Sequence, residues 1–93
     1  MPNTSSAQKR LRQSARRTAR NRAAKSALRS RIRKVRQALE QGDLDAARAA
    51  LAAAIPSIDR TASRGVIHRR SAARYKSRLM RQVATAAARP ASA

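Results

Sequence analysis

Apolar side chains recur along this chain at helical spacing, and nowhere do they alternate with polar ones at the period of two that a half-buried strand requires. Leu28, Ile32, Val35 and Leu39 follow an i, i+4, i+7, i+11 pattern that lines one face of a helix. Leu44, Ala47, Leu51, Ile55, Ile58 and Ala62 mark a second such face, and Ala72, Leu79, Val83 and Ala86 a third. Gly42 and Gly65 fall between the three patterns, where chain reversals are needed. Links this short favour antiparallel neighbours, so the pattern predicts an all-α fold: an antiparallel three-helix bundle.

The first helix is expected to start at Ser5 or Ser6, whose hydroxyl can cap free backbone N–H groups, and to end before Gly42. That makes roughly 35 residues, or about 52 Å at 1.5 Å per residue. Traced backwards in steps of 3.6 residues, its apolar seam meets Ala24, Asn21, Arg17, Ser14 and Arg10, which cannot supply a protein core. The amino-terminal half therefore calls for a polar, anionic surface. Asp43 should cap the second helix, with Asp45 in its first turn and a kink at Pro56. Val66 and Ile67 lead into the third helix, where Arg69, Arg70, Arg74, Lys76, Arg78 and Arg81 point away from the core. Helices two and three are about 30 Å long, so the first should protrude by roughly 20 Å. Residues 1–93 thus read as one domain: an extension over 1–23 that becomes helical only against that anionic surface, a bundle over 24–83 and a frayed tail over 84–93.

Composition sharpens this picture. Residues counted as hydrophobic make up 42% of the chain, but 23 of them are alanine and only 16 are larger. A core that small, in a chain of 93 residues, leaves little stability to spare. Residues 1–39 carry 13 positive charges and no acid, 40–59 one arginine against four acids, and 60–93 nine positive charges and no acid. A solvated basic surface on an ordinary soluble protein would intersperse acids. The net charge of +19 instead makes a compact isolated domain repel itself and a polyanion strongly attractive. Nineteen of the 23 cations are arginine, whose planar fork grips phosphate with two hydrogen bonds, although a GC-rich genome also favours arginine over lysine. The single aromatic residue, Tyr75, excludes the aromatic platform on which single strands stack, so folded RNA or a duplex is the expected target.

Chemistry beyond binding finds no support. There is no cysteine, one histidine, no glycine-rich phosphate loop and no pair of carboxylates in an apolar setting, so neither an enzyme nor a metal or cofactor site is expected. Glu40, Asp43 and Asp45 are explained as capping and solubilising groups at helix ends. His68 either contacts phosphate or a sugar hydroxyl or serves as a surface or capping residue. The longest uncharged stretch, Ala49 to Ile58, is about half a membrane span and contains Pro56. The first 36 residues are Arg-, Ser- and Ala-rich and acid-free like a transit peptide, but the same pattern recurs in the last third. A membrane-active amphipathic helix would need large apolar residues opposite its basic face, and the basic half of helix one offers only Leu11.

The chain resembles the small-subunit ribosomal protein twenty family of bacteria and organelles along most of its length. Ile58-Asp59-Arg60, Ala62, Arg64-Gly65, Ile67-His68, Ala72-Ala73-Arg74 and Lys76-Ser77-Arg78-Leu79 stand at the family's spacing, preceded by a matching Pro56. Ser6-Ala7-Gln8-Lys9-Arg10, Gln13-Ser14, Asn21, Ser26, Arg29 and Lys34-Val35 also follow the pattern. Ser5 departs from it where lysine is frequent, Arg70 where asparagine is common, and the alanine-rich tail runs on past Val83. The resemblance implies a constituent of the small ribosomal subunit in the cytoplasm, whose long first helix lies along small-subunit ribosomal RNA and which supports its assembly. Other small-subunit proteins are implied as neighbours, whereas a membrane, a small-molecule substrate and an obligate homo-oligomer are not expected.

Charge and resemblance together nominate the residues for RNA contact. On the first helix they are Ser6, Lys9, Arg10, Arg12, Gln13, Arg16, Arg17, Arg20, Asn21, Arg22, Lys25 and Arg29. Beyond it they are Arg60, Arg64, His68, Arg69, Arg70, Arg74, Lys76 and Arg78. Composition alone supports a different class almost as well, a DNA-compacting protein of the nucleoid, which competition between duplex DNA and small-subunit RNA would separate.

Overall fold

Two left-handed glycines divide the chain into its helices. The computed structural model describes residues 4–89, in which α1 spans Ser5–Glu40, α2 Leu44–Ser63 and α3 Arg69–Ala88. No strand occurs among the described residues. Gly42 and Gly65 take φ of +73° and +77°, a region that costs a side-chain-bearing residue free energy and glycine little. Each sits one residue past a helix cap in the same hydrogen-bonded stop. The Gly42 and Asp43 N–H groups donate back to the Leu39 and Ala38 carbonyls, and those of Gly65 and Val66 to Ala62 and Thr61. This double bond pattern satisfies carbonyls that the helix end leaves open.

The helix starts are also capped. The α1 cap is Thr4, whose Oγ1 accepts the Ala7 N–H at 3.2 Å, so Ser5 and Ser6, expected as caps, are drawn into the first turn. Asp43 caps α2, its Oδ1 accepting the Ala46 N–H at 3.0 Å, as expected. His68 caps α3: its Nδ1 accepts the Arg70 N–H at 3.0 Å. α2 passes through Pro56 without a break. Both Pro56 and Ala52, whose carbonyl loses its usual i+4 donor to the proline, lie exposed. α3 runs to Ala88, so the tail expected to fray is helical over its first five residues, and the last four lie outside the described part.

The core consists of Leu28, Ile32, Val35 and Ala38 from α1, Ala47, Ala54 and Ile58 from α2, and Ala72, Leu79 and Val83 from α3. On α2 the buried arc is wider than the expected stripe. Leu44, Leu51, Ile55 and Ala62 are only half-buried, while Ala54, Ser57 and Thr61 are closed off from solvent. At 100° per residue, Ala47, Ala54, Ser57 and Thr61 form a stripe of small side chains beside the larger one. Ser57 and Thr61 lie next to Ala24, Ala27 and Arg31 of α1. Small residues let two helix axes approach closely, which places α2 tightly on α1 while α3 packs chiefly on α2. The Thr61 hydroxyl is satisfied within its own helix by donating to the Ser57 carbonyl at 2.6 Å.

The molecule is a rod, 71 × 22 × 17 Å. The α2–α3 turn, through Arg64 and Val66, lies against Arg17, Arg20, Asn21 and Ala24 of α1. Ser5 to Arg16 therefore extends past the bundle by about 18 Å, close to the expected protrusion. Every residue of that arm except Ala7 is exposed.

Candidate nucleic-acid interface

The basic residues fall into three zones set by the helices that carry them. The first is the arm. Lys9, Arg10, Arg12 and Arg16, with Arg17 at the arm's root, are all exposed, together with Ser6 and Gln13, and at 100° per residue they fall within an arc of about 160° on one side of the helix. Leu11, 69% exposed, is the arm's one large apolar side chain and has nothing to pack on. No acidic residue pairs with any arm cation among the described residues, where the sole ion pair lies elsewhere.

The second zone is the corner where the α2–α3 turn meets α1. Arg17, Arg20, Asn21, Ala24, Arg64 and Val66 line one concavity there. Arg31, Arg60 and Arg64 line a neighbouring one, with Ala24, Ala27, Ser57 and Thr61 as its floor. Helices distant in sequence thus hold five arginines around two adjoining grooves that share Ala24 and Arg64. Asn21 is half-buried in this corner, which explains how a polar residue on the apolar seam is accommodated. Arg22 and Lys25 are exposed nearby on α1.

The third zone is α3 with the flank of α1 beside it. Arg70, Arg74 and Arg78 are exposed, and with Arg81 they follow an i, i+4, i+8, i+11 ridge on the side of α3 away from Ala72 and Leu79. Arg69 is exposed in the first turn. His68 is exposed and uses Nδ1 to accept the Arg70 N–H as the helix cap, which leaves Nε2 as the ring nitrogen open to an RNA contact. Lys76 stands apart from the other nominated residues. It is half-buried and its Nζ lies 2.8 Å from Asp59 Oδ1, joining α3 to α2. Asp59, the acid far from the first turn, finds its role in that bond.

Arg31, Arg33 and Arg36 were not nominated, yet they line grooves with nominated partners: Arg31 with Arg60 and Arg64, and Arg33 and Arg36 with Arg29. The signal for them is their register. At 100° per residue Arg31 flanks the apolar seam on the side of α2, whereas Arg29, Arg33 and Arg36 flank it on the side of α3. No group of three potential metal ligands occurs among the described residues, and no described helix is long and apolar enough to cross a membrane.

A short helical bundle with a cationic arm, two arginine-lined corner grooves and a basic ridge defines a class: a basic structural protein built to lie against an extended polyanion. Sequence comparison gives the class its family. The model of the family described as ribosomal protein S20 matches residues 2–84. A relative named small ribosomal subunit protein bS20, from Chelativorans sp. (strain BNC1), is 52% identical over 85 residues, 91% of this chain and 97% of its own length. Relatives of the same name from Rhodopirellula baltica and Thermomicrobium roseum are 49% and 50% identical, covering 94% and 88% of this chain and 97% and 83% of their own lengths. The chain belongs to the ribosomal protein S20 family, whose members are structural components of the small ribosomal subunit and not enzymes.

Proposed function

We propose that this protein binds small-subunit ribosomal RNA directly in the cytoplasmic ribosome and supports the folding and assembly of that RNA. The observation that carries the reading is the arm: twelve residues of helix from Ser5 to Arg16, all but Ala7 exposed, that hold four cations and no acid. Phosphates are the partners that turn such a segment from self-repelling to stable. Like charges four apart, such as Arg12 and Arg16, each cost a few tenths of a kcal/mol in an isolated helix. A segment this long is marginal in water without packing. Of the extension expected over 1–23, residues 1–3 lie outside the described part; the stretch from Ser5 to Ala23 becomes fully helical when RNA is bound, and the ordering cost is met at that moment.

In this reading Arg17, Arg20, Arg60 and Arg64 clamp the backbone where RNA passes the corner, and Arg69, Arg70, Arg74 and Arg78 contact a second stretch along α3. Asn21 stands between corner arginines and directs its amide to the same RNA. Nearly all these contacts are to phosphate, which fixes position and register without reading sequence. The protein is not an obligate homo-oligomer in this reading, and other small-subunit proteins are its possible neighbours. A competition assay tests the reading: small-subunit RNA should hold the protein against an equal nucleotide concentration of duplex DNA, and displacement by DNA would overturn it in favour of a DNA-compacting role.

A further inference from the structure

The lone aromatic residue does not sit in the core. Tyr75 is 36% exposed and lines, with Arg29, Arg33, Arg36 and the edge of Ile32, a concavity of about 270 Å³ between α3 and α1. That is just below the range of about 300–1,000 Å³ usual for small-molecule sites, and it suits one planar group. The three arginines stand at i, i+4 and i+7, so they form one ridge along the rim, and none is paired with an acid among the described residues. Aromatic face, apolar floor and guanidinium rim occur together nowhere else in the described chain.

We propose that this groove receives a single unpaired nucleotide of the bound RNA, its base stacked on the Tyr75 ring and its flanking phosphates held by Arg29, Arg33 and Arg36. The assignment rests on the RNA-binding reading and adds to it a base contact where phosphate contacts otherwise dominate. One ring cannot grip a single strand, which takes successive platforms, but one ring does suffice for a base splayed out of a bulge or loop. A phosphate alone would use the arginines and leave the tyrosine idle. A base explains both, because every base presents a π-face and stacking tolerates any sequence.

Because Tyr75 is the only aromatic side chain, its ring resonances in tyrosine-labelled full-length protein report on this groove alone. On binding a small-subunit RNA transcript they should move upfield, the direction a stacked base imposes. Tyr75→Leu should weaken binding roughly tenfold with the salt dependence unchanged, since stacking is not ionic, while Tyr75→Phe stays near wild type. Arg33→Ala should weaken binding and lower the salt slope by about one. Both tyrosine variants change a partly exposed position, and unchanged helical content confirms that they fold. Unmoved ring resonances, or wild-type affinity in Tyr75→Leu, would overturn the base slot while leaving RNA binding by the arm intact. Failure of the wild-type protein to bind the transcript at all would overturn both.

Discussion

Within α1, the stretch from Lys9 to Arg22 holds seven cations and the stretch from Lys25 to Arg36 holds six, with no acid in either. Charge therefore does not distinguish them. What differs is a single line of side chains. In the carboxyl-terminal half that line is Leu28, Ile32 and Val35, all buried; in the amino-terminal half the same line passes through Arg10, Ser14 and Arg17, all exposed. One helix thus carries two kinds of stability. Its second half is held by apolar burial against α2 and α3, and its first half has no such burial, which leaves it to an anionic partner in the function proposed above. The lesson is that a uniform basic composition conceals a sharp boundary, and that the seam locates it near Asn21.

The largest expected effect breaks the comparison from the RNA side. With about eight phosphates neutralised, the log–log dependence of affinity on salt should have a slope around −6 to −7, so binding should fall by roughly 10³–10⁵ between 50 and 200 mM salt. A slope near −1, measured by filter binding, would mean that the arm is not held by phosphates. Next comes the core side. Leu79→Ala or Ile58→Ala removes a fully buried side chain and should cost about 2–5 kcal/mol, enough to leave this small bundle largely unfolded without RNA. Leu51→Ala, at a half-buried position, should cost less than about 2 kcal/mol. Cooperative melting of Leu79→Ala at the wild-type temperature would show that the core lies elsewhere.

Smaller effects sharpen the boundary. Arg16→Ala, in the arm, should reduce the salt slope by about one unit and leave thermal stability untouched. A large loss of selectivity among related RNAs would instead identify Arg16 as reading bases. Lys76→Ala should do the reverse of Arg16→Ala. It breaks the bond to Asp59 and lowers stability by less than about 1 kcal/mol, because the pair is partly solvent-exposed, while the salt slope stays unchanged. A full unit of slope lost in Lys76→Ala would show that its amine leaves Asp59 for phosphate.

The helices and the protruding arm were legible in the sequence because their determinants are local. Gly42 and Gly65 announce left-handed turns, Asp43 announces a cap, and Leu28, Ile32 and Val35 announce a face. The small stripe of α2 was not legible, since alanine, serine and threonine give almost no hydrophobic signal, and only the closeness of α1 makes Ala54, Ser57 and Thr61 interior. Thr4 was passed over for the serines that follow it, as three consecutive hydroxyls offer equivalent caps by composition. The sequence shows where the basic residues lie but not the grooves they line. That Arg31 joins Arg64, or that Lys76 pairs with Asp59, depends on the register between helices, which no single helical pattern contains.

Amide hydrogen exchange on the full chain, free and bound to a small-subunit RNA transcript, tests the division of α1 most directly. Free protein should exchange rapidly from Lys9 to Arg22 and slowly from Leu28 to Ala38, and RNA should bring strong protection to the first stretch while changing the second little. Strong protection of Lys9 to Arg22 in the absence of RNA would contradict the account, because the arm would then be stable on its own.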